Sequence, residues 1–232
     1  MNKVEKSPNL EILQKSKIFQ DLTMEDILLV CKITSPEIMI IKKDKELWRL
    51  GDIINSIDIL EEGIMVSQKY HIDGRVQLVS TYNPSSLVNI EATVSYRLTS
   101  PVFIIASTDC KIVRFNYNLL VHNRNIPVRI RFTIFDNIAA YLATGSVRNM
   151  NTSYILSRRK VKDRVLTYLN IMRYRTESDS FNIGMSREEL AQYLCVDRTS
   201  LSEALNELKR EGQIKFKKAD YVLLFKDYEH FI

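Results

Sequence analysis

Arg198, Thr199, Ser202, Glu203 and Asn206 fall at the spacing that puts them on one side of an α-helix. Their chemistry is shared: they can donate to guanine edges, accept from cytosine amino groups and touch a thymine methyl. The other side of the same stretch carries Leu201, Ala204, Leu205 and Leu208, which call for burial. A helix divided in this way suits insertion into the major groove of a duplex, with Arg198, Thr199, Ser202 and Glu203 as the expected base contacts.

Such a helix needs elements to aim it. Ser186-Arg187-Glu188-Glu189 has the form of a capping box, so a helix is predicted to start there and to bury Leu190, Ala191 and Leu194. Cys195-Val196 makes a turn, and Asp197 is a good N-cap for the second helix. Gly212 is a stop signal. Beyond it, Ile214 and Phe216 alternate with Lys215 and Lys217 into a Lys217-Lys218-Ala219-Asp220 turn, which predicts a basic β-hairpin, or wing.

Charge supports the same surface. Between Arg158 and Lys218 there are 14 Lys or Arg against 9 Asp or Glu, an excess of +5 that equals the net charge of the whole chain. Neutralising phosphates and releasing counterions supplies most non-specific affinity for a duplex, so a local excess of this kind is what a phosphate-binding face requires. Arg187, Lys217 and Lys218 are the expected phosphate contacts, which position the protein without reading sequence. The Arg158-Arg159-Lys160 run is either a further contact or a solvated helix start.

Ahead of this module the chain changes character. From about Pro36 to Phe115, short runs rich in Ile, Val, Tyr and Phe are broken by turn signals, which predicts a β-sandwich or barrel of the jelly-roll kind. Asp73-Gly74, between Ile64-Met65-Val66 and Val76-Gln77-Leu78-Val79, is its strongest hairpin signal. Leu10 to Cys31 is patterned as helix, with a possible capping box from Thr23 to Asp26. Between sheet and DNA module, Pro127 to Tyr154 reads as one long helix in which Ile130, Ile134, Ile138, Tyr141 and Leu142 recur at helical spacing. That stripe either pairs with a second copy of the chain, as the dimer interface, or packs on its own β domain.

With 232 residues and 45% hydrophobic content, two cores are expected rather than one. The longest apolar runs are too short to span a bilayer, so a cytoplasmic protein without membrane contact is expected. Cys31, Cys110 and Cys195 form no CxxC pair, and their odd number argues against a disulfide framework. A jelly roll can also host cupin-like metal-dependent catalysis. Three scattered histidines do not make such a ligand cluster, so no metal, no cofactor and no catalytic residue is predicted.

The order of these parts resembles the family of the cyclic-AMP receptor protein and the fumarate-nitrate regulator, the Crp/Fnr bacterial transcription regulators. The resemblance runs from about Leu10 to Leu224 and is tightest from Met185 to Phe216, with Gly51 and Gly63 at β-roll glycine positions. It implies an α+β chain of three parts: a cyclic-nucleotide-binding-like jelly-roll sensor over 1–125, a dimerisation helix and hinge over 126–156, and a winged helix-turn-helix over 157–232. It also implies a homodimer on palindromic double-stranded DNA that works with RNA polymerase. Arg198, Thr199 and Glu203 match the family's base-reading positions; Ser186, Arg187 and Ser200 match positions that touch phosphates.

In the sensor, the resemblance places an effector pocket around Asn89, Glu91, Arg97 and Ser100. Cyclic-nucleotide binders of the family hold the ribose with a Gly-Glu pair and the cyclic phosphate with Arg-Ser. This chain has Ile90-Glu91 and Ser100-Pro101 instead. A buried cyclic phosphate without a cation is strongly disfavoured, so an effector other than cyclic AMP, or none, is expected. An iron–sulfur cluster of the family type is excluded, because only Cys31 lies near the N-terminus. Haem, with His71, His122, Met39 or a cysteine as ligand, does not rank above an organic effector.

Overall fold

In the computed structural model, which describes residues 7–70, 72 and 76–225, the chain forms two compact units, Met1–Ala143 and Thr144–Ile232. The first unit opens with two helices whose starts are set by side chains. The Asn9 side-chain oxygen Oδ1 accepts from two amides of α1 (Leu10–Lys15), and Thr23 and Asp26 close the expected capping box on α2 (Met24–Thr34). Next come β1 (Glu37–Ile41), β2 (Glu46–Trp48), β3 (Ser56–Glu62), β4 (Met65–Tyr70), β5 (Val76–Tyr82) and β6 (Leu87–Val88). A short helix α3 (Ile90–Thr93) precedes β7 (Phe103–Ala106) and β8 (Cys110–Asn116). These strands build two antiparallel four-stranded sheets, ordered β1-β8-β3-β6 and β2-β7-β4-β5, the expected jelly roll. Strands β4 and β5 pair as predicted, although Asp73-Gly74 and His71 lie outside the described residues.

The roll is filled. Leu60, Met65, Val88, Val102, Ile104, Ala106 and Ile112 pack together, with Tyr82 and Trp48 against them. Charge inside the unit is paired: Asp58 accepts a two-pronged bond from Arg114 at 2.7 and 2.8 Å and a third from the Trp48 indole at 2.7 Å. Arg114 also lies over the Trp48 ring. Gly63 turns β3 into β4 at φ 90°, where a Cβ would sit 2.4 Å from the carbonyl oxygen of Asp109, so no larger residue fits without moving backbone.

After α4 (Tyr117–His122), helix α5 runs unbroken over 29 residues from Val128 to Leu156. Its Ile130, Ile134 and Ile138 are buried in the core of the first unit with Leu13, Phe19, Ile27 and Phe115, and Tyr141 and Leu142 pack against that core. Of the two roles left open for this stripe, packing on its own domain is the one the structure displays. Each isoleucine covered there contributes on the order of 2 kcal/mol, and at no more than 4% exposure none has surface left to offer a second chain. The division between the units falls inside α5, next to Gly145, where a Cβ would meet no atom within 4 Å.

The second unit holds the end of α5, then α6 (Val161–Thr176), β9 (Ser180–Asn182), α7 (Arg187–Tyr193), α8 (Arg198–Arg210), β10 (Ile214–Lys217) and β11 (Asp220–Leu223). The three strands form one sheet, ordered β10-β11-β9. Its separate core joins Ile155, Val165, Leu169, Leu190, Leu194, Leu201, Leu205, Leu208 and Tyr221.

Candidate nucleic-acid interface

Local chemistry builds the helix-turn-helix as the sequence predicts. The Ser186 hydroxyl oxygen accepts from the Glu189 amide at 3.2 Å while the Ser186 amide donates to the Glu189 carboxylate at 2.7 Å. That amide holds the Glu189 carboxyl below its usual range. The turn passes through Cys195 at φ 53°, a left-handed conformation that costs a non-glycine residue on the order of 1 kcal/mol. At the start of α8, Asp197 accepts from both the hydroxyl and the amide of Ser200, at 2.6 and 2.8 Å, and the hydroxyl bond above all lowers its pKa.

On α8 the apolar side is buried and the polar side is open. Leu201, Ala204, Leu205 and Leu208 are in the core. Arg198, Thr199, Glu203 and Asn206 are exposed, and none of their side chains makes a hydrogen bond among the described residues. Ser202 is half-buried, with its hydroxyl donating to the Arg198 carbonyl at 2.8 Å; its remaining lone pairs can only accept. Ser200 is likewise occupied by the cap.

The wing follows Gly212, which stops α8 at φ 70°. Lys217 pairs with Asp220 across the hairpin, and Lys218 takes the tip in a left-handed conformation, φ 54°. Both lysines are exposed and carry no ion pair among the described residues. Ser186, Arg187 and Lys218 share a shallow cleft with Gly184, Met185 and Ala219, so three expected phosphate contacts converge. Arg187 is half committed elsewhere: it donates to the Tyr221 hydroxyl at 2.8 Å and lies over the Phe216 ring.

The expected effector positions separate. Asn89 and Ser100 are buried and bonded to each other at 2.8 Å, and the Ser100 hydroxyl donates on to the Val102 carbonyl at 2.7 Å. Glu91 and Arg97 are exposed, and Arg97 makes no hydrogen bond or ion pair among the described residues. Ile90, at the position of the family's glycine, is fully buried. Among the described residues, no group of three or more His, Cys, Asp or Glu is placed to hold a metal, and no helix is long and apolar enough to cross a membrane. Burial pushes the Cys31 thiol up to about 11.

This geometry has counterparts. The sequence model of the Crp-like helix-turn-helix domain matches residues 163–230. The nitrogen fixation regulation protein FixK of Rhizobium meliloti is 22% identical over 186 residues, covering 80% of this chain and 81% of that protein. Residues 163–230 are thus a Crp-like helix-turn-helix domain. Solved regulators share its fold. The catabolite activator protein of Thermus thermophilus is 17% identical at TM-score 0.51, covering 90% of this chain and 93% of its own. The c-di-GMP responsive global regulator CLP of Xanthomonas campestris is 17% identical at TM-score 0.55, covering 88% and 100%. The relatives are regulators rather than enzymes. The cyclic-nucleotide-binding-like roll, the long helix and the winged helix-turn-helix are all present.

Proposed function

We propose that this chain is a transcription regulator that binds a palindromic promoter site as a homodimer, with α8 of each copy in the major groove and each wing on the backbone. One observation carries the reading: Arg198, Thr199, Glu203 and Asn206 on the polar face of α8 make no side-chain hydrogen bond among the described residues, while its opposite face is fully engaged in the core. Arg198, Thr199, Ser202 and Glu203 read bases. Ser186, Arg187, Ser200, Lys217 and Lys218 hold phosphates. Residues 1–125 act as sensor, 126–156 as dimer helix and hinge, and 157–232 as the DNA-binding part of a cytoplasmic protein that engages RNA polymerase.

The dimer face belongs to side chains other than the buried isoleucines. Val128, Phe132 and Phe135 are 57%, 63% and 50% exposed at helical spacing on α5, and the row continues through exposed Ala139. Val147 and Met150 are also open. An apolar row of this kind favours a self-complementary, two-fold contact, and two-fold symmetry in the protein calls for a two-fold operator.

The sensor responds to something other than cyclic AMP. Ser100-Pro101 stands where a cation would meet the cyclic phosphate, Ser100 is tied to Asn89, and Arg97 is exposed. Selection of bound duplexes from a random pool tests the whole reading. Repeats would include cyclic AMP, cyclic di-GMP and other small metabolites. A two-fold symmetric consensus, insensitive to cyclic AMP, is expected. Failure to enrich any sequence at low salt refutes the reading of α8, and tighter binding with cyclic AMP refutes the reading of the sensor.

A further inference from the structure

Only three residues separate Leu194 from the start of the recognition helix, so whatever holds the turn also aims Arg198 and Thr199. Two side-chain contacts tie it to elements outside the helix-turn-helix. Tyr193, the last residue of α7, has its hydroxyl 3.1 Å from that of Thr152 on the final turns of α5. The Thr152 hydroxyl already donates to the Arg148 carbonyl at 3.0 Å. Having one proton each, the pair settles in one sense: Tyr193 donates and Thr152 accepts. The Tyr193 ring is also fixed against Tyr168 of α6, centroids 5.3 Å apart.

Arg164 of α6 holds the other side. Its Nη1 donates to the carbonyls of Leu194 at 3.1 Å and Cys195 at 3.4 Å, and its Nε donates to the Arg158 carbonyl at 2.9 Å in the segment between α5 and α6. Carbonyls at a helix end lack intrahelical partners and carry partial negative charge, so a guanidinium fork is well matched to them. The grip falls on the residue in the strained left-handed conformation, Cys195. Among the described residues Arg164 has no carboxylate partner.

We propose that Tyr193 and Arg164 are positioning residues for DNA recognition. They latch the turn between α7 and α8 to the end of α5 and to the segment before α6, so that α8 is presented at one fixed angle. This rests on the reading of α8 as the groove-entering helix. Neither residue touches DNA, which separates the latch from the phosphate contacts.

The test uses full-length protein, the duplex selected from the random pool, and a random-sequence duplex of equal length. Tyr193→Phe and Thr152→Val each weaken binding about two- to tenfold, the worth of one hydrogen bond. The double variant is no weaker than either alone, because both remove the same bond. Arg164→Met weakens binding more, and Arg164→Lys restores only part, since an ammonium lacks the planar fork. Base preference stays unchanged. So does the slope of log affinity against log salt, whereas losing a phosphate contact lowers it by about one.

Amide exchange at Cys195 and Val196 provides a second measure without DNA, and it speeds up in Tyr193→Phe while the melting temperature holds. Wild-type affinity in every variant overturns the latch. So does a lower salt slope in Arg164→Met, or a loss of binding that merely follows the unfolded fraction. If the wild-type protein binds no duplex at low salt, the reading of α8 is what fails; exchange in Tyr193→Phe then judges the latch by itself, and an unchanged rate overturns it.

Discussion

Replacing Phe132 with alanine is expected to break the dimer while leaving the fold intact. A phenylalanine side chain covers about 200 Å² when fully buried. With 63% of Phe132 open in the single chain, about 125 Å² is left for a partner to cover, worth about 3 kcal/mol at about 25 cal/mol per Å². Alanine retains part of that contact, so the loss is about 2–3 kcal/mol per side. A two-fold interface loses it twice, which raises the dissociation constant by about three to four orders of magnitude. Sedimentation of a dilution series measures this directly. Ile134→Ala, in a side chain that is 0% exposed, is the contrasting control: it should cost about 2–5 kcal/mol of folding stability and leave association of the folded protein little changed. A shift in dimer dissociation of less than tenfold for Phe132→Ala would refute the assignment of that face, as would a wild-type protein that is monomeric at every concentration.

Further outcomes are expected. Arg198→Ala costs about 1–3 kcal/mol on the selected duplex and relaxes base preference, while Lys217→Ala weakens all duplexes alike and reduces the salt slope by about one, both read by titration across salt concentrations. Gly63→Ala lowers the melting temperature of the first unit, because its methyl group would lie 2.4 Å from the Asp109 carbonyl oxygen and the backbone must yield. Acid weakens the helix-turn-helix: Glu189 and Asp197 both have lowered pKa values, so their stabilisation is complete above the unfolded carboxylate range and is lost as pH falls through the folded values. Circular dichroism should follow that loss below about pH 4, and Asp197→Asn should flatten it.

The helix-turn-helix was legible in the residues because its determinants are local. Two N-caps, one apolar stripe and a glycine stop lie within a few positions of what they control, and each appears where its spacing puts it. The long helix was legible as a helix, but not in its facing. Ile130, Ile134 and Ile138 make one apolar row and Val128, Phe132 and Phe135 make another, and periodicity finds both without saying which one the first core takes. That choice is made by Leu13, Phe19 and Phe115, more than a dozen to over a hundred residues away in the chain or across a sheet.

The latch was hidden for the same reason. Arg164 meets its turn across 30 positions and Thr152 meets Tyr193 across 41. A lone arginine or tyrosine on a helix gives no sign of such a partner. In the sensor, the substitution of Ser100-Pro101 for a cationic pair was visible in the sequence. The bond by which Ser100 and Asn89 satisfy each other was not.

Gly145 gives the long helix a mechanical character. Nothing within 4 Å forbids a side chain there, so packing does not ask for glycine, yet its backbone freedom makes that step about 1 kcal/mol less helical than alanine would. The rod joining the two units is thus softest beside the boundary between them. A methyl group at that residue would remove the soft step and stiffen the helix there.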